Sequence, residues 1–177
     1  LRDRVGVIKT SRIAPDQDTA DLCVAAAKKL FATERVRPSD VDCVIVVTQN
    51  PDGSGLPHTS AIIQDRLGIP ENCASFDVSL GCSGYVYGLS VIKSFMQDNG
   101  LRCGLLFTAD PYSKIVSESD RSTALLFGDA ATVTLMTESP VWKIGKFDFG
   151  TAGRLGQSIH RSAEGKPDRL PDLAAEL

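Results

Sequence analysis

The run Val41-Asp-Cys-Val-Ile-Val-Val-Thr48 constrains the fold more than any other stretch. Consecutive apolar, mostly β-branched side chains suit an extended strand and leave neither of its faces fit for water. Such a strand needs cover on both sides, so the sequence calls for helices above and below a sheet. The loop that follows, Gln49-Asn-Pro-Asp-Gly-Ser-Gly-Leu-Pro57, is rich in glycine and proline. It lies at the carboxyl end of the strand, where open α/β sheets bind ligands.

The neighbouring segments supply the expected cover. Asp16 to Ala32 reads as an amphipathic helix with Asp18 as N-cap, Asp21 in the first turn, and Leu22, Ala26 and Leu30 at helical spacing. Thr59 to Leu67 reads as a second helix, with Ala61, Ile62 and Leu67 facing inward and Gly68 closing it. Ala74 to Leu80 is expected to be the central strand. Cys103 to Ala109 forms a further strand, and Ala130 to Thr137 with Val141 to Phe149 alternate as a strand pair around Ser139-Pro140. From Gly150 the chain turns rich in glycine and charge, as in a long surface loop or partly mobile tail.

One junction carries chemistry. Phe76-Asp-Val-Ser-Leu-Gly-Cys-Ser-Gly-Tyr-Val-Tyr-Gly-Leu89 runs a short strand into a helix expected from Cys82 to about Asp98, carrying Val86, Leu89, Ile92, Phe95 and Met96 between two layers. The first N–H groups of a helix lack intrahelical partners and favour negative charge, so a thiol placed there ionises more easily. Two readings of Cys82 stand side by side: a nucleophile, or a small residue packed in a core, where free cysteine is often found. Glycine immediately before the cysteine distinguishes the turn from the G-x-S-x-G elbow of hydrolases.

Charge and cysteine usage narrow the classes. A net charge of −3, without a Lys/Arg run, argues against nucleic acid as the main partner. The five cysteines, at 23, 43, 73, 82 and 103, are odd in number and contain no C-x-x-C pair, which disfavours both a disulfide framework and a zinc site. A reducing cytoplasm is the simplest compartment, and no stretch is long and apolar enough for a membrane span. No Gly-rich phosphate loop suggests a nucleotide cofactor, and no cofactor or metal is expected. The absence of an initiator methionine leads us to expect that the sequence starts inside a longer protein.

The cysteine motif, Leu56-Pro57, Asp120-Arg-Ser-Thr and Phe127-Gly-Asp-Ala-Ala131 together resemble the N-terminal half of a β-ketoacyl-acyl-carrier-protein synthase III, a member of the thiolase superfamily. The resemblance implies a thiolase-like α/β lobe, a mixed β-sheet flanked by helices that forms one half of a duplicated fold. On this alignment residues 1–149 are the N-terminal domain and 150–177 a tail leading toward a C-terminal half. Cys82 would carry an acyl group from acyl-coenzyme A as a thioester and condense it with malonyl-acyl-carrier protein. Leu56 would reach across a homodimer toward the partner's acyl pocket, Arg121 would lie near the coenzyme A adenine, and Arg4 near its nucleotide. Asp129 would shape a backbone turn and perform no chemistry.

The same resemblance implies that an asparagine and a histidine from the C-terminal half stabilise the enolate. His58 and His160 lie outside the family's motifs, so this chain alone is expected to be inactive in condensation. Two other classes remain open on the sequence: an acyltransferase that does not decarboxylate malonate, and a non-catalytic dimerisation or carrier-binding module.

Overall fold

The computed structural model describes residues 6–117, 119–120 and 123–158. The chain forms two compact units, Leu1–Lys143 and Ile144–Leu177. In the first, a four-stranded sheet has the order β2-β1-β3-β4, where β1 is Cys43–Val47, β2 Ala74–Val78, β3 Cys103–Ala109 and β4 Ala131–Thr137. β1 pairs in parallel with β2 and β3, and β4 closes the other side antiparallel to β3.

Every residue of β1 is buried, as its uninterrupted apolar run requires. Alternation divides the contacts: Val44 and Val46 pack with Leu105 and Phe107 beneath helices α1 (Thr19–Phe31) and α2 (Thr59–Arg66), through Ala20, Cys23, Ala27 and Ile63. Cys43, Ile45 and Val47 pack with Leu106 on the opposite face, beneath Ile92 and Met96 of helix α3 (Gly84–Asn99). The sheet is thus covered on both faces.

α1 begins where the sequence places it. The Asp18 carboxylate accepts the Thr19 N–H at 2.7 Å while the Asp21 carboxylate accepts the Asp18 N–H at 2.7 Å, a reciprocal cap that satisfies donors the helix itself leaves open. α2 differs from expectation in its buried face: Thr59, Ser60 and Ile63 are sealed, while Ala61, Ile62 and Leu67 are only half-buried. Asp77, reaching across from β2, accepts the Thr59 and Ser60 N–H groups at 2.7 and 2.9 Å and so fixes the rotation of the helix. Gly68 takes a positive φ of 64°, as a helix-terminating glycine should.

Three further expectations are corrected. β2 is an edge strand, not the central one, and each of its residues is half-buried; its polar Ser75 and Asp77 alternate with apolar neighbours, whereas β1 lacks any such relief. Residues 141–149 form no strand: β4 is paired with β3 alone among the described residues, and Val141 and Trp142 are exposed. Alternation marks a shared face but supplies no partner strand.

The third correction concerns α3. Its sheet-facing stripe is Gly84, Gly88, Ile92 and Met96, while Tyr85, Val86 and Val91 are exposed in this chain, so Val86 does not face the sheet as expected. The glycines explain the choice of face. A Cβ at Gly88 would stand 2.9 Å from both Leu106 Cδ1 and Val47 Cγ2, so the helix backbone sits directly on the sheet.

In the second unit the described residues contain a short 3-10 helix, Gly153–Ser158, and the stacked rings of Phe147 and Phe149. The remainder of the expected tail, 159–177, lies outside the described residues.

Candidate active site

The parallel strands end level with one another, since Val47 is registered against both Val78 and Thr108. The loops leaving β1, β2 and β3 therefore emerge together at the carboxyl edge of the sheet. They bring Gln49, Cys82 and Tyr112 to one place.

After β2 the chain turns tightly. The Gly84 N–H donates to Gly81 O at 2.7 Å, and the Val86 and Tyr87 N–H groups donate to Ser83 O at 3.1 and 3.3 Å. Ser83 is the N-cap, so the helix starts two residues after Cys82 rather than at it. The thiol stands in the turn that feeds the helix and is exposed. The other four cysteines are different: Cys23, Cys43 and Cys103 are buried and Cys73 half-buried. Burial, the main cause in each case, pushes Cys43 up to about 12 and Cys73 and Cys103 up to about 11, with nearby carboxylate charges adding to the effect. Cys23 is pushed up furthest, again chiefly by burial.

A network of carboxylates holds the loops around this thiol. Asp110, after β3, accepts hydrogen bonds from Gln49 N, Asn50 Nδ2 and Thr48 Oγ1 at 2.8, 3.0 and 3.1 Å. Asp52 accepts the Ala20 N–H at 2.9 Å and donates its own N–H to Thr59 Oγ1 at 3.1 Å. Asp129 accepts the Ile13 N–H at 2.8 Å and the Ser113 N–H at 2.9 Å, and also takes the Ser113 hydroxyl. Asp129 is thus a buried brace between two loops.

Beside Cys82, the Tyr112 hydroxyl donates to Gln49 Oε1 at 3.1 Å, and the Tyr112 ring stacks on Phe127 with centroids 4.6 Å apart. Burial first, then the charges of Asp110 and Cys82, raises the pKa of the phenol. Gln49, Asp110 and Tyr112 were not singled out in the sequence. The rule that drew attention to the loop after β1 applies equally to the loop after β3, where Asp110-Pro111-Tyr112 stands at the same edge.

Of the other expected site residues, Leu56 is 87% exposed at the end of the Gln49–Pro57 loop and is followed by a cis peptide. The small cavity beside Tyr112, lined by Arg12, Ser113, Val116, Ala124 and Phe127, includes neither Leu56 nor Cys82. Arg4 and Arg121 lie outside the described residues, as does His160. His58 turns its ring toward Ser75 on the edge strand, with Nε2 3.5 Å from the hydroxyl. Among the described residues no three metal-ligating side chains gather.

Comparison with known proteins places this arrangement. The family described as 3-oxoacyl-[acyl-carrier-protein] synthase III matches residues 76–153, the segment that holds the cysteine turn, β3 and β4. A β-ketoacyl-[acyl-carrier-protein] synthase III from Caldanaerobacter subterraneus is 38% identical over 93% of this chain and 49% of its own length. The chain corresponds to the N-terminal half of a β-ketoacyl-acyl-carrier-protein synthase III. A crystal structure of a 3-oxoacyl-(acyl-carrier-protein) synthase III superposes on it with a TM-score of 0.81 at 43% identity, covering 88% of this chain and 47% of the other. The synthase III from Thermus thermophilus superposes with a TM-score of 0.85 at 28% identity, covering 97% and 52%. The fold is thiolase-like, a mixed sheet flanked by helices, and corresponds to the N-terminal half of the synthase III fold. The chain spans about half the length of the curated relatives it matches.

Proposed function

We propose that Cys82 is the acyl-accepting nucleophile of a β-ketoacyl-acyl-carrier-protein synthase III. The observation that carries this reading is the exposed thiol at the carboxyl edge of the sheet, in the turn before α3, in a chain whose other four cysteines are partly or wholly buried. The Cys82 thiolate attacks the carbonyl carbon of an acyl-coenzyme A, the coenzyme A thiolate leaves and takes up a proton, and an acyl-enzyme thioester remains. In the second half-reaction malonyl-acyl-carrier protein loses carbon dioxide. The resulting enolate carbon attacks the acyl-enzyme carbonyl and releases the Cys82 thiolate.

Acyl-coenzyme A and an acyl carrier protein are the partners this reading requires. The reaction as written calls for no cofactor. Leu56, exposed at its loop tip, would line the acyl pocket of a second copy, and Arg121 and Arg4 would bind the coenzyme A nucleotide. The half-exposed edge of β2 is where we place the homodimer axis. Residues 1–149 would form the N-terminal domain and 150–177 the connection toward a second lobe, in a cytoplasmic enzyme of fatty-acid or related biosynthesis. No helix among the described residues is long and apolar enough to cross a membrane.

Enolate stabilisation calls for the histidine and asparagine that the family's C-terminal half would supply, and His58 does not stand in for them, since its ring faces Ser75. We therefore expect this chain by itself to stop at the acyl-enzyme. The test is coenzyme A release from acyl-coenzyme A, with and without malonyl-acyl-carrier protein. A burst stoichiometric with the chain, absent in Cys82→Ala and without β-ketoacyl product, supports the proposal. No burst, or a burst that survives Cys82→Ala, refutes it.

A further inference from the structure

Gln49 directly follows the end of β1 and is fixed at both ends. Its backbone N–H is bound to Asp110 at 2.8 Å, and its side-chain oxygen accepts the Tyr112 hydroxyl at 3.1 Å. Tyr112 is steadied in turn by its stack on Phe127. The carboxamide lies against the residue before the nucleophile: a Cβ at Gly81 would fall 2.6 Å from Gln49 Oε1 and 3.7 Å from Nε2. Glycine at position 81 is what leaves the space for it.

A carboxamide has an acceptor end and a donor end. With the acceptor end engaged by Tyr112, Nε2 is left as a donor with no protein partner among the described residues. Burial and the neighbouring charges of Asp110 and Cys82 keep the phenol protonated to higher pH, so its donation to Gln49 persists while the thiol reacts. Gln49 is exposed, and a neutral donor on a side chain held against Gly81, the residue before the nucleophile, suits a carbonyl oxygen that gains charge during attack.

We propose that Gln49 contacts the substrate, its Nε2 donating to the carbonyl oxygen of the thioester that Cys82 attacks, and that Tyr112 is a positioning residue that sets which end of the amide faces that carbonyl. This rests on the reading of Cys82 as the acyl acceptor. As the acyl group passes from the thioester sulfur to Cys82 Sγ, the hydrogen bond tightens on the oxyanion and relaxes when the leaving thiolate departs and is protonated.

The experiment compares two electrophiles on the whole chain: the acetyl thioester of N-acetylcysteamine, which needs no nucleotide site, and iodoacetamide, whose saturated carbon builds no oxyanion. Gln49→Met keeps the length of the side chain and removes the donor. It should slow acetylation of Cys82 by about tenfold or more, while alkylation and its pH profile stay within about twofold of the parent. Tyr112→Phe should shift the same ratio by less, and the double variant should be no worse than Gln49→Met, since Tyr112 acts through Gln49. Equal slowing of both reactions would reduce the pair to a structural support of the turn, and unchanged acetylation would remove Gln49 from the site; either overturns the proposal. A parent chain that is alkylated at Cys82 but never acetylated would overturn the Cys82 reading itself, and this proposal with it.

Discussion

Asp110 and Gln49 join the ends of the two central strands: the carboxylate that follows β3 accepts the backbone N–H that follows β1 at 2.8 Å. The same oxygen receives Thr48 Oγ1 and Asn50 Nδ2. One side chain thus closes the carboxyl edge of the sheet and orders the loop that borders Cys82. Replacing it should cost both stability and the shape of the site. Asp110→Ala should lower the unfolding free energy by about 2 kcal/mol or more, because a charged acceptor is lost from three donors at once. Asp110→Asn keeps an acceptor and should lose less. Urea unfolding of the two variants measures the difference.

Cysteine accessibility gives a second outcome. Because burial holds Cys23, Cys43, Cys73 and Cys103 well above the ordinary thiol range, one equivalent of iodoacetamide near neutral pH should label Cys82 alone. The other four should react only when the fold opens in denaturant. Peptide mapping after brief labelling checks this, and comparable early labelling of any other cysteine would contradict it.

The close seat of α3 on the sheet predicts an unusual response to a small substitution. Alanine normally favours a helix over glycine, yet a Cβ at Gly84 would run into Val47 Cγ1 and come within 3.0 Å of Leu80 Cβ. Gly84→Ala should therefore destabilise by about 1 to 3 kcal/mol through overpacking. In a Val47→Ala background, where the obstructing methyl groups are gone, the added cost of Gly84→Ala should shrink. Thermal unfolding of the four proteins in this cycle provides the measurement.

Much of this architecture was legible in the sequence for a physical reason. The run at 43–47 could be satisfied only by cover on both faces, and Asp18 marked the N-cap of α1, with Asp21 in its first turn. The orientation of α3 was not legible in the same way. Val86 and Leu89 looked like core positions by hydropathy, but the helix faces the sheet through Gly84 and Gly88, where proximity and not apolar bulk decides the contact. Strand order was equally hidden, since the half-polar pattern of Ala74–Val78 marks an edge only once its neighbours are known. At the site, the cysteine announced itself through its glycine-flanked turn. Gln49, Asp110 and Tyr112 did not, because each matters through a partner about sixty residues away in the chain.

Asp52 supplies a pH dependence. Burial, followed by the charge of Asp18, raises its carboxyl above the ordinary 3.8, against the opposing hydrogen bond from Ala20 and the charge of Lys114. Between 3.8 and the raised folded value the folded chain holds more protons than the unfolded one, so this group's contribution to stability falls as pH rises through that window. Above the window the penalty for the buried carboxylate is complete. Asp52→Asn retains an acceptor for Ala20 and should melt higher than the parent at about pH 7, with the advantage gone at about pH 3. Melting curves at the two pH values decide it; an advantage that persists unchanged in acid would contradict the assignment.

The most direct measurement is the intact mass of the chain after incubation with an acyl-coenzyme A, followed by location of any adduct by peptide mapping. The account predicts a single acyl group on Cys82, removed by hydroxylamine as a thioester should be and absent from Cys82→Ala. An unmodified mass under conditions where iodoacetamide still labels Cys82, or an acyl group carried by any other residue, would contradict it.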